Sequence, residues 1–181
     1  MSFTEDKPAN ESQKLELPKK LRPDENAWCL IIAFIQVGGG IFGIGIFAYH
    51  YGTMPNSLLL TLVVAPFFYG IYAGSLLWQG KVKGINHSLI VQAIQIPSIM
   101  FDLLGFRSQL GIGLITGWFD SKVTLLQLDI WSYSILHINP QTGFSSAGIN
   151  LIALAALYFL WSFKIKIELY QQRNVNTQSE N

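Results

Sequence analysis

Cysteine is almost absent: Cys29 is the only one in 181 residues. One thiol excludes an intrachain disulfide and any Cys-x-x-Cys redox or metal pair, and with them the chemistry of four-span disulfide oxidases. What is left to Cys29 is the role of a small buried hydrophobe. Charge is scarce as well. It makes up 13% of residues, about half the share of an ordinary soluble domain. Twelve Lys and Arg against eleven Asp and Glu leave a formal +1, so no field of either sign points to nucleic acid or to an acidic substrate. Histidine is limited to His50, His87 and His137, without HxxxH or HExxH spacing, and no P-loop, GxSxG or paired intramembrane glutamates occur. The expectation is therefore no metal, no cofactor and no catalytic residue of a familiar kind.

Half of the residues are hydrophobic, and they gather into four runs, near Ala27–Tyr49, Ser57–Trp78, Ile85–Leu104 and Phe144–Phe163. Each supplies the roughly 20 residues that cross about 30 Å of hydrocarbon as a helix. The pattern predicts an all-α integral membrane protein of four transmembrane helices, one membrane domain over residues 27–166. Of the twelve basic residues only Arg107 and Lys122 fall on one side of that plan, which puts the N- and C-termini in the cytoplasm. Residues 1–26 and 167–181 are polar and read as disordered cytoplasmic tails. The first of these shows no cleavable signal sequence, and its Lys19-Lys20-Leu21-Arg22 reads as a topology signal. A multi-pass protein of a cell membrane, of the bacterial cytoplasmic type, is expected, with the lipid bilayer and a second copy or another membrane protein as partners and no nucleic acid.

Small residues mark where helices approach closely. Gly39 and Gly43 form such a pair in the first run, Gly70 and Gly74 in the second. Gln36 lies mid-run and needs a hydrogen-bonding partner, and Pro66 bends the second run. The third run carries a polar face of Ser88, Gln92, Gln95, Ser98 and Asp102, interrupted by Pro97. Two readings of that face compete. In one it lines a hydrated path with Asp102 holding a proton or cation; in the other the glutamines bond to neighbouring helices and Asp102 pairs with Arg107.

Between the third and fourth runs the chain is too polar and too rich in turns for further spans. Alternation over residues 110–119, the turn signal Asp120-Ser121-Lys122 and a following β-branched, aromatic stretch predict a small extracytoplasmic β-hairpin over about 108–138. Three functions fit this outline. The first is a non-enzymatic interaction or accessory protein working through helix packing and the hairpin. The second is a small transporter or channel component using the polar face of the third helix. The third is a membrane enzyme with an outer site built from His50, His137 and an aspartate.

Overall fold

A computed structural model of the protein describes residues 17–51, 58–100, 104–119, 122–130, 132–138 and 146–179. Two 3-10 turns, Lys19–Leu21 and Pro23–Glu25, lead into α1 (Ala27–Tyr51), α2 (Leu58–Trp78) and α3 (Val82–Gln95). Six strands follow: β1 (Pro97–Met100), β2 (Leu104–Gln109), β3 (Gly113–Phe119), β4 (Lys122–Asp129), β5 (Tyr133–Ile138) and β6 (Ser146–Asn150). The last element is α4 (Leu151–Ser179).

The all-α, four-span expectation is therefore corrected: the fold is four helices on a six-stranded antiparallel sheet, not a hairpin insert in a helical bundle. Two of the four apolar runs change secondary structure partway along. The third stops being helix at Gln95 because Pro97 has no N–H to continue the ladder and its ring would meet the carbonyl of Ala93. Proline is tolerated as the first residue of a strand, and β-branched Ile99 follows it in β1. The fourth run begins as β6 and becomes helix only at Asn150. Asn150 Oδ1 accepts the N–H groups of Ile152 at 3.1 Å and Ala153 at 3.3 Å, an N-cap. Beyond it α4 continues to Ser179, through the stretch expected to be a disordered tail.

Both transitions lie at one level. β1 pairs antiparallel with β6, Pro97 opposite Ile149, and the Asn150 N–H donates to the Ile96 carbonyl at 2.9 Å. The two innermost strands thus grow directly out of α3 and into α4, which sets the sheet end to end with the helices. Asn26 caps α1 in the same manner as Asn150 caps α4, accepting from Trp28 N–H at 3.0 Å and Cys29 N–H at 3.3 Å. Helices α2 and α3 are joined by a tight Gly80 turn (φ +71°), with Gly80 N–H bonded to Leu77 O and Lys81 N–H to Leu76 O.

The strand order is β4-β3-β6-β1-β2-β5, so the two edge strands, β4 and β5, are consecutive in the chain and separated only by residues 130–132. A flat sheet of six strands would hold its edges roughly 24 Å apart, whereas four Cα steps reach at most about 14 Å. The sheet must curl until its edges meet at that end. Arg107 of β2 forms an ion pair with Asp129 of β4 across the closure, and the Tyr133 hydroxyl donates to Asp129 Oδ2 at 3.1 Å.

Cys29, Ile32, Leu77, Ile85, Leu160 and Phe163 share one apolar core among the helices. A second, smaller core of Phe67, Ala73, Val91 and Leu110 ties α2 and α3 to the chain after β2. Polarity is inverted outside these clusters. Trp28 (62% exposed), Phe34 (68%), Ile41 and Trp161 face outward on the helices, as do Val123, Leu126, Leu128 and Ile130 on the sheet. Gln36, Ser88, Gln92, Gln95, Ser98, Ser108 and Asn150 are buried. Among the described residues one helix, Ala27–Tyr49, is long and apolar enough to cross a membrane, while Val63–Trp78 is apolar but shorter. A multi-pass plan of four helical spans is not supported.

Candidate functional site

The helix–sheet junction holds a half-open cavity of about 370 Å³, walled by Trp28, Ile31 and Ile35 of α1 and by Ala153, Ala156 and Phe159 of α4. Trp28 and Phe159 lean together at its mouth, their ring centroids 6.3 Å apart. Its inner wall is α3, which presents Gln92 and Gln95, and Leu110 and Ile112 close the end nearest the sheet. The volume lies at the lower end of the roughly 300–1,000 Å³ typical of small-molecule sites, and such sites are mostly apolar with a few placed polar groups.

The two glutamines of this wall differ. Gln95 is committed to the fold: its Oε1 accepts the Leu110 N–H at 3.0 Å and its Nε2 donates to the Val91 carbonyl at 3.3 Å. That amide fastens the end of α3 to the loop after β2. Gln92 lies one turn earlier on the same helix face. It is 6% exposed, lines the cavity, and makes no hydrogen bond among the described residues. Its amide atoms are not among the fully buried, unpartnered ones, so they stand open to the cavity space rather than packed against protein.

Another turn back, Ser88 is fully buried and its hydroxyl donates to Gln36 Oε1 of α1 at 2.9 Å. The Gln36 Nε2 has no partner among the described residues. Of the polar face read from the sequence, the structure gathers Ser88, Gln92 and Gln95 on one buried side of α3, and Ser98 continues it in β1, where its hydroxyl is buried. Asp102 lies outside the described residues. The partner of Arg107 is Asp129, with Tyr133 stacked 4.8 Å from the guanidinium carbon.

The small residues sit at close approaches. A side chain on Gly39 would start 2.6 Å from the Gly111 nitrogen, one on Gly70 2.6 Å from Leu110 Cδ1, and one on Gly74 2.8 Å from the Ala33 carbonyl, while Gly43 lies against the Phe67 ring. Gly39 and Gly111 (φ +80°) together bring α1 down onto the loop that ends the cavity.

Of the three histidines, the one whose side chain is described is His87. Its Nδ1 and the Tyr69 hydroxyl are 2.9 Å apart, and Tyr72 packs edge-on to its ring at 5.1 Å. Among the described residues no group of three or more His, Cys, Asp or Glu comes together.

Trp28 and Phe159 line the cavity without having been singled out from the sequence, and Asn150, outside the lining, caps the helix that forms one wall. Asn150 did carry a signal, an asparagine directly before the apolar run Leu-Ile-Ala-Leu-Ala-Ala-Leu. The aromatic pair carried none, because its members are 131 positions apart and meet only through tertiary packing. No protein-family model, curated protein or solved structure matches the chain.

Proposed function

We propose that the protein is membrane-associated and non-enzymatic, acting through contacts made by its apolar outer surface, with α1 as the segment that enters hydrocarbon. The inverted polarity carries this reading. A chain in water that exposed Trp28, Phe34 and Ile41 on one helix while burying Gln36 on the same helix would forgo hydrophobic stabilisation and desolvate an amide at once. Against lipid or an apolar partner the same arrangement is favourable, because hydrocarbon covers the outer residues and the polar groups bond across helix contacts. The low charge content and the absence of a gathered set of titratable side chains among the described residues support a role in contact rather than in catalysis.

Reconstitution into vesicles containing lipids brominated along the acyl chain tests the reading. Trp28, Trp118 and Trp161 are all well exposed, so strong quenching of the intrinsic tryptophan emission is expected. A protein that stays monomeric in buffer without detergent, and whose emission brominated vesicles leave unchanged, overturns it. Native mass spectrometry from a mild detergent then reads the partner: multiples of 20.3 kDa mean a homo-oligomer, and another discrete mass means a second protein.

A further inference from the structure

We infer that the junction cavity is a binding site for a neutral amphiphile: a single hydrocarbon chain or ring ending in one uncharged hydrogen-bonding group, which Gln92 receives. Four observations converge on that chemistry. Among the described residues the wall is apolar apart from the two glutamines. Gln95 already spends both ends of its amide on the backbone of Val91 and Leu110. Gln92 is more than nine-tenths buried, faces the same space and is without a protein partner among the described residues. Among the described residues no charged side chain lines the cavity, so an ionised headgroup would meet no counter-charge from them, at large cost.

An amide both donates through Nε2 and accepts through Oε1, which matches a hydroxyl or a carboxamide rather than a carboxylate or an ammonium. A space of about 370 Å³ holds roughly a dozen water-sized groups at about 30 Å³ each, enough for a medium chain and its headgroup. Trp28 and Phe159, in contact at the mouth, would lie along the chain. Such a molecule has two sources, a neutral lipid of the bilayer or a free fatty alcohol or amide.

This inference does not depend on the membrane reading, because the test runs equally in nanodiscs or in buffer. The full chain is photolabelled with 1-dodecanol carrying a mid-chain diazirine, and the adducts are mapped by peptide mass spectrometry. Labelling is expected on α1 near Trp28–Ile35 and on α4 near Ile152–Phe159. 1-Decanol should compete at concentrations about tenfold lower than decanoate at pH 8, since the carboxylate must enter unpaired. Gln92→Leu should reduce labelling several-fold, as expected from the loss of one buried hydrogen bond. It should also leave the melting temperature of the unliganded protein unchanged or raised, because it replaces an amide that makes no hydrogen bond among the described residues with an apolar side chain in an apolar wall.

Lowered thermal stability of the unliganded Gln92→Leu protein would make Gln92 a structural residue and overturn the proposal. So would undiminished labelling of that variant, or labelling spread along the outer face at Phe34 and Ile41. Monoolein added to the disc assigns the source. Competition by it names a bilayer lipid as the ligand, and competition by decanol alone names a free amphiphile.

Discussion

The helical half and the sheet half of this molecule solve the same problem with different means. Both expose large apolar side chains and bury polar ones beside their apolar cores, yet among the described residues the helices bury no charged side chain whereas the sheet closes on an ion pair. A helix satisfies its own backbone, so α1 and α3 need to match only side chains, Ser88 to Gln36. A curled sheet must bring two edges together, and β4 and β5 do so with Arg107, Asp129 and Tyr133. The comparison teaches that side-chain hydrogen bonds adjust the helical half while the sheet half depends on its closure.

The largest effect is expected where that closure is cut. Asp129→Ala leaves Arg107 mostly buried and without its carboxylate, at a cost of about 3 kcal/mol. Unfolding monitored by hydrogen exchange should show β4 and β5 losing protection while α1 and α2 keep theirs. Equal loss in both halves would break the comparison. The double variant Arg107→Met/Asp129→Leu should regain most of the stability.

Next comes the helix contact. Gly74→Leu drives a side chain into the Ala33 carbonyl and Val37 Cγ2, which lie 2.8 and 2.9 Å from an ideal Cβ. Overpacking of this kind costs about 1–3 kcal/mol, read as a lower thermal midpoint in one detergent. Asn150→Ala removes the cap of α4 at the joint between the halves, for about 1 kcal/mol. Circular dichroism should report fraying at the start of that helix.

A smaller effect depends on pH. Burial holds the Tyr133 phenol protonated beyond its ordinary value of 10.0, with the nearby Arg107 charge opposing and Asp129 reinforcing the shift. The unfolded chain releases that proton first, so stability is complete below pH 10 and declines as the pH rises towards the folded value. Tyr133→Phe should flatten that decline in a pH series of unfolding midpoints. Smallest of all is Gln36→Leu, which removes one hydrogen bond together with an amide nitrogen that lacks a partner among the described residues. A change within about 1 kcal/mol is expected, and a larger loss would mean that the helical half also hangs on a single polar contact.

Much of this was legible in the chain before folding. Apolar runs, few charges and one cysteine place α1 where it is and exclude a disulfide or paired-thiol framework, because hydrophobicity and thiol count are properties of composition. The spacing of Ser88, Gln92 and Gln95 put them on one helix face, since 3.6 residues per turn is a local rule. What composition could not decide was where helix gives way to strand. Residues 85–104 and 144–163 are apolar enough for either state, and an apolar run alone does not distinguish a buried strand from a helix. Tertiary pairing decided it: Pro97 ended α3, Asn150 started α4, and β1 and β6 found each other between them. The cavity belongs to the same category. Its opposite walls come from Trp28 and Phe159, and only the packed fold distinguishes Gln95, whose amide is consumed by the backbone, from Gln92, whose amide is left facing the space.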